Sequence, residues 1–368
     1  MPYQSANYFV SQTYVDNNFV RPVSLINGGF NVWQRGTSMT SANITTFGGL
    51  TSDRWSLTLP GSQLVTASRI NDFVTSNKRA HYAYSLALSS ATVSLTAGTQ
   101  FAFHQRMEGI YARDLLYKAT AFSGKIKTNK AGTYTAFISW VDSASSNVVY
   151  CAAPVVLTGS GAEESFSVVF PPCPNTFTPV VGEAFSVKVG IVLAGNATTV
   201  TGIYLTEPAA SETYCASGQV NLFDSASNYI QFSQFTLTPG SVSKPYFQEL
   251  ASVEEYLCKR YCERLTLSSH LVNLYAGTAS HVGSLSYLQK FANPSLVFLQ
   301  TDAAGSAIAN SSNVFYGGGS TAFTLGSFAQ AGRITTKNAG FTFTTTSTTP
   351  ANISTGNLNL DVVVSAVL

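Results

Sequence analysis

Apolar residues recur at every second position through most of this chain, and no other feature restricts its fold so sharply. The runs RWSLTL (Arg54–Leu59), AYSLALS (Ala83–Ser89), TYTAFISWV (Thr133–Val141), SFSVVF (Ser165–Phe170), FSVKVGIVL (Phe185–Leu193) and YIQFSQFTLT (Tyr229–Thr238) all alternate in this way. A period of two sends successive side chains to opposite faces, which suits a strand buried on one side. A helix would instead repeat its apolar stripe every three to four residues. β-branched and aromatic residues fill the runs, and turn-forming clusters such as NKAGT and TGSGAE separate them. About eight strands or more at this spacing predict a two-sheet sandwich of the jelly-roll type.

One segment breaks the rhythm. In QELASVEEYLCKRYCERL (Gln248–Leu265), Leu250, Val253, Leu257 and Tyr261 recur at helical spacing, charge is dense, and Pro245 stands just before. These features predict a helix. Strand patterns then resume at Val282–Phe291, Ser295–Gln300, Asn313–Gly319, Gly340–Thr346 and Asn359–Leu368. They are enough for a second, smaller sandwich. The expected architecture is therefore all-β, with two jelly-roll-like β-sandwich domains joined by one α-helix. Residues 1–22 form an N-terminal arm, 23–240 the first sandwich, 241–265 a linker with the helix, and 266–368 the C-terminal sandwich. Tyr3, Tyr8, Phe9, Tyr14 and Phe19 are many aromatics for an idle tail. The arm is expected to order against a neighbouring subunit or a larger assembly.

The surface implied by the composition is unusual. Charged residues make up only 10% of the chain, against about 25% in an average globular protein. Ser, Thr, Asn and Gly take their place, as in a β-protein with hydroxyl-rich faces or one that covers much of its surface with other subunits. The net charge is +2 and no basic run occurs, so phosphate neutralisation, and with it nucleic-acid binding, is not expected. No apolar run approaches the roughly 20 residues that span a bilayer, so no membrane insertion is expected. The N-terminus lacks a basic n-region and an apolar h-region, which points to synthesis in a cytoplasm.

Candidate chemistry is sparse. The five cysteines, Cys151, Cys173, Cys215, Cys258 and Cys262, are odd in number and irregular in spacing. Cys258 and Cys262 fall four apart on one face of the expected helix, but no second pair completes a zinc site. They read as free thiols packed as small hydrophobes. His81, His104, His270 and His281 form no metal-ligand spacing, and no nucleophile turn or phosphate-binding loop is present. Asp53, Glu108, Asp142, Glu163 and Glu164 are scattered in a way that sequence does not pair into a glycosidase site. No metal, cofactor or enzymatic activity is expected. Stacking and hydrogen bonding remain. Trp33, Gln34, Arg35, Asp53, Arg54 and Trp55 are six candidate glycan-binding residues, an aromatic plate with planar polar groups for sugar hydroxyls. The same residues read equally as sandwich core, with an Arg–Asp pair pinning a loop. Both readings stay open at this level.

The order of these motifs carries a resemblance. NGGFNVWQRGTS (27–38) followed by SDRW (52–55) resembles the opening of the carbohydrate-binding-module-like domains of bacteriophage tail-fibre and related virion proteins. The segment HQRMEGIYARDLLYKATAFSGKIKTNKAGTY (His104–Tyr134) is similar to that family's Q-x-[IM]-E-G stretch and the strand after it. FTLTPGSVSKPYFQELASVEEYLCKRYCER (Phe235–Arg264) is similar to its PFE-containing stretch and the helix ending in C-x-R-Y. Here the family's PFE reads Pro245-Tyr246-Phe247, with the acidic residue displaced to Glu249. The similarity covers about the first 265 residues in order. It implies a non-enzymatic virion structural protein, most readily a homotrimeric tail fibre or appendage assembled in the host cytoplasm. Such a protein would be held to other virion proteins through residues 1–22 and would take part in attachment to a host surface glycan. Two rivals share the module type: a capsid-surface decoration or head fibre, and a glycan-degrading tailspike. Calcium occurs in some folds of this type, but no Asp-rich loop here asks for it.

Overall fold

A computed structural model of the chain describes residues 25–266 apart from 47, 62, 76–77, 93, 144–146, 183, 197, 200–203 and 209–213. It also describes the strand segments 280–286, 295–300, 325–330, 338–345 and 360–365. The expected arm at 1–22 and the run Asn313–Gly319 lie outside the described residues.

The first part of the chain runs β1 (Ser38–Thr40), α1 (Ser41–Thr46), β2 (Trp55–Leu57), β3 (Val65–Asn71), β4 (Tyr82–Leu88) and β5 (Thr99–Glu108). After α2 (Gly109–Ala112) come β6 (Thr120–Thr128), β7 (Gly132–Val141), β8 (Asn147–Leu157), β9 (Glu163–Phe170) and β10 (Phe185–Asn196). The short β11 (Thr198–Thr199), β12 (Leu205–Pro208) and β13 (Tyr214–Cys215) lead to β14 (Tyr229–Pro239). Two six-stranded sheets result, ordered β1-β3-β4-β14-β6-β9 and β12-β8-β7-β10-β5-β2. Each pairing within them is antiparallel. The last long strand, β14, closes the middle of the first sheet between β4 and β6, so that sheet is completed only by contacts far apart in sequence.

The alternation seen in the sequence is what packs this all-β sandwich. In β6, Phe122 and Ile126 face the core while Ser123, Lys125 and Lys127 face out. Aromatic rings fill the space between the sheets. Trp55 stacks on Phe103 at 4.9 Å, and Phe103 on Phe232 at the same separation, with Phe30, Tyr84 and Phe235 around them. Each of these side chains is essentially fully buried. Burying one stabilises the fold by about 1.5–3 kcal/mol before chain entropy is counted.

One strand departs from strict alternation. In β14, Ile230 and Phe232 point inward, then Phe235 and Leu237 do, so the phase slips by one residue. A β-bulge between Ser233 and Thr236 absorbs the slip against β6, and Gln234 at its apex adopts φ 55°. Left-handed backbone is costly for a residue with a Cβ and persists where neighbours enforce it. The neighbours here are glycines. Phe235 N–H donates to Gly28 O at 3.0 Å. A Cβ at Gly28 would collide with the Phe235 carbonyl, and one at Gly124 would collide with the Phe235 ring.

The helix expected over Gln248–Leu265 is shorter. It is α3 (Ala251–Lys259), followed by the strand β15 (Cys262–Thr266). Its buried face is also not the expected one: Glu254 and Cys258 are buried, with Tyr261 just beyond, whereas Leu250 and Val253 are exposed. The reason is tertiary. The chain turns at Arg260 and Tyr261, which Glu108 holds, and then runs extended from Cys262, where Gln34 grips Cys262 O and Arg264 N–H; the helix stops where that grip begins. Cys258 and Cys262 therefore do not share a helix face. Each of the five cysteines is a buried free thiol.

Beyond α3 the described strands are β16 (Ser280–Ser286), β17 (Ser295–Gln300), β18 (Leu325–Gln330), β19 (Asn338–Thr345) and β20 (Leu360–Ser365). With β15 they form two antiparallel three-stranded sheets, β15-β20-β17 and β16-β19-β18, none of whose strands pairs with the first two sheets. No helix among the described residues is long and apolar enough to cross a membrane.

Candidate functional site

The six residues singled out by the sequence do come together, at a tight double turn before β1 and β2. Asn27 starts it: its Nδ2 donates to Val32 O and Asp53 O at 2.9 Å each, and its Oδ1 accepts from Val32 N–H. Asn27, Phe30 and Arg54 all adopt positive φ, so the turn is held by its bonds rather than by backbone preference. Trp33 Nε1 donates to Phe30 O at 2.8 Å and its ring stacks on Tyr84 at 5.5 Å. Trp55 Nε1 donates to Asn27 O at 2.9 Å.

Asp53 lies at the centre. Its carboxylate accepts from Arg35 Nη1 at 3.2 Å, from Gln34 N–H at 3.2 Å and from Gln34 Nε2 at 2.7 Å. The Arg35 and Asp53 side chains are each only 1% exposed. Burial pushes the Asp53 carboxyl up to about 6, against the pull of Arg35 and the Gln34 donors. Gln34 then reaches across the chain. Its Nε2 also donates to Cys262 O at 2.6 Å, and its Oε1 accepts from Arg264 N–H at 3.2 Å.

A second ionic knot lies beside the first. Arg54 places its guanidinium 3.4 Å from the centre of the Tyr261 ring and donates through Nη2 to Arg106 O. Glu108, fully buried at the end of β5, accepts both Nε and Nη2 of Arg260, at 3.1 and 3.0 Å, and the hydroxyl of Tyr261. Burial lowers the Arg54 pKa and raises that of Tyr261. Thus WQR, DRW, the QRME of β5 and the RYCER after α3 are one network. Sequence reasoning singled out the first two as a site; it met Glu108 only as one of the scattered carboxylates, Tyr261 only as part of a helical pattern, and Arg260 only within a segment that bears the family resemblance.

This geometry corrects the reading of a sugar plate. Trp33, Arg35, Asp53, Arg54 and Trp55 are all buried and Gln34 is half-buried. Both indoles have protein against their faces and their N–H groups engaged, so neither offers a flat surface to a ligand. The constellation is a clasp that fixes the opening of the sandwich to the chain leaving it. Among the described residues, no group of three or more His, Cys, Asp or Glu side chains is placed to hold a metal ion.

An open groove lies elsewhere, over the β14 bulge. It holds about 440 Å³, within the range of small-ligand clefts. Ser123 and Lys125 of β6 and their cross-strand partners Ser167 and Ser165 of β9 form its floor. Gln234 stands at the bulge, and Arg79 and the 243–246 segment form the walls. Lys125 Nζ donates to Ser165 Oγ and Glu163 Oε1, both at 2.8 Å. Ser123 and Thr236 share a hydroxyl hydrogen bond of 2.8 Å. Gln234 Nε2 donates to Asp72 Oδ2 at 3.4 Å. None of the groove residues was a sequence candidate.

No family model and no curated protein matches the chain. Solved structures similar to part of it include the enzymatically active domain of tailspike protein 4 of bacteriophage CBA120. That match has 14% identity, covers 50% of this chain and 19% of that one, and has a TM-score of 0.29. Others come from Clostridium thermocellum xylanase 10B. One is its N-terminal CBM22-1–GH10 modules, at 14% identity, 54% and 28% coverage and TM-score 0.30. Another is its C-terminal family 22 carbohydrate-binding module, at 11% identity, 52% and 89% coverage and TM-score 0.26. Likenesses at this level identify neither fold nor ligand.

Proposed function

We propose that the chain is a non-enzymatic structural protein of a phage virion, of the tail-fibre or appendage kind, whose first sandwich contacts host surface glycans. The observation that carries this reading is the clasp. Three segments that resemble virion carbohydrate-binding-module-like domains meet in one largely buried network whose bonds join residues up to 230 apart in sequence. Motifs that define a domain type are expected to meet in space, and chance similarities are not. The network also suits a load-bearing part, because it ties the entry of the sandwich directly to its exit. The acidic residues support a role without catalysis: Asp53 and Glu108 are both engaged by arginines inside the clasp, and Glu163 is paired with Lys125.

Light scattering of the recombinant full-length chain, followed by incubation with immobilised bacterial surface polysaccharide, tests the proposal. The expected result is a stable trimer that is retained on polysaccharide and releases no reducing sugar. Sugar release would replace it with the tailspike reading. A monomer with no retention would favour a decoration protein ordered only on a capsid.

A further inference from the structure

We infer that the groove over the β14 bulge is the saccharide-binding site and that it selects an anionic saccharide, one bearing uronic acid or phosphate groups. This rests on the reading above that the first sandwich contacts glycans. Among the twelve described lining residues, Arg79, Lys125 and Lys244 are cationic and none is acidic. The whole chain has only 20 lysines and arginines in 368 residues, and three of them meet in this groove. Four more lining residues are serines, which can both donate to and accept from sugar hydroxyls.

What the groove lacks decides between ligand classes. Among the described residues, its rings besides Pro245 are Phe166 and Tyr246, both buried. A neutral glycan bound here would have no exposed aromatic plate beneath it. Binding must come from hydrogen bonds and charge, and charge-assisted hydrogen bonds are the stronger kind. The bulge itself points to a built site. Gln234 is held at φ 55°, a strained conformation that re-aims a side chain. Ser233, cross-strand from Lys125, keeps a fully buried hydroxyl with no hydrogen-bond partner. Glu163 pairs with Lys125, so Arg79 is assigned the largest share of the ligand charge.

An array of defined acidic and neutral oligosaccharides, including tetragalacturonate and maltotetraose, tests this with the full-length protein. Hits are then titrated by calorimetry against Arg79→Ala/Lys244→Ala and Ser167→Glu, with inorganic phosphate as competitor. The expected result is binding of acidic members, weakened about tenfold by the double substitution and lost in Ser167→Glu. Unchanged thermal midpoints show that the variants fold, and Arg79→Lys keeps binding within a few-fold. Binding that the groove variants do not alter would overturn this site while leaving the glycan reading standing. Neutral glycans alone, lost in Ser167→Glu, would overturn the charge assignment only. Inorganic phosphate competing as well as the oligosaccharide would reduce the groove to an anion site and overturn the inference. An array blank for every glycan would overturn the inference and the glycan reading together.

Discussion

The clasp and the groove belong to one sandwich and differ in almost every physical respect. The clasp has tryptophans, arginines and two carboxylates, mostly buried and bonded within one network. The groove has serines, lysines and an arginine on the outward face of a sheet. A sequence reader is drawn to the first, because Trp and Arg are the residues of hot spots and ligand plates. The comparison shows that the same residue types also suit the opposite task. Burying an ion pair costs desolvation that only full hydrogen bonding offsets, so such a network tolerates little change and fixes one geometry. A saccharide groove has no such requirement. It works with ordinary surface residues, provided that the backbone beneath them is shaped.

Breaking the clasp has the largest expected effect. Asp53→Ala removes the carboxylate that accepts from Arg35 and twice from Gln34, and so takes the counter-ion from a buried guanidinium. The expected cost is about 3–5 kcal/mol, read by denaturant unfolding. A loss below about 1 kcal/mol would mean that the network is incidental.

The same carboxylate gives the clasp a pH signature. Its folded pKa of about 6 exceeds the ordinary 3.8. Between those values the native chain holds a proton that the unfolded chain has released. This contribution is therefore full below about pH 4 and is lost as pH rises through 6, a drop of about 3 kcal/mol. Burial raises the Glu254 carboxyl too, which adds in the same direction. Stability measured from pH 4 to 7 is expected to fall, and Asp53→Asn is expected to remove most of the slope. A slope that survives in Asp53→Asn would assign the titration to another group.

A smaller effect tests whether the two regions are coupled. Gly28 accepts from Phe235 N–H at the bulge and leaves no room for a Cβ. Gly28→Ala is expected to cost about 1–3 kcal/mol and, in addition, to weaken saccharide binding. Tyr261→Phe, in contrast, removes only the hydroxyl that Glu108 accepts and leaves the ring beside Arg54. Its expected cost is about 1–2 kcal/mol, with binding unchanged. Binding that responds to both or to neither would erase the distinction between bracing the bulge and fastening the exit.

How much of this was legible in the sequence follows from the same contrast. Strand period is a local property, so runs such as Thr133–Val141 and Ser295–Gln300 match β7 and β17 closely. The helix was overextended because Arg260, Tyr261 and Arg264 answer partners more than 100 residues away, and periodicity records only near neighbours. The candidate residues lie together, but the sequence left a ligand plate and a packed core both open for them, since burial of a Trp-Arg-Asp set is decided by the opposite sheet. The bulge did leave a trace. In YIQFSQFTLT the spacing from Phe232 to Phe235 is three rather than two, which forces a phase slip and an outward residue between them. Read alone it marks a bend. Only the paired strands β6 and β9 turn that bend into a groove.

The smallest stability effect is also the one that best separates the two regions. Ser167 is exposed at the groove floor, and a surface substitution such as Ser167→Glu is expected to change stability by less than about 0.5 kcal/mol. Its effect on ligand is expected to be total, because it places a carboxylate opposite an anionic saccharide. Asp53→Ala is its mirror image: a large stability loss, with no ligand contact removed. Measured side by side by unfolding and calorimetry, the pair separates folding energy from binding energy on one sandwich. If Ser167→Glu instead unfolded the chain, the groove floor would belong to the same cooperative network as the clasp, and recognition would have to lie outside the β6–β9 face.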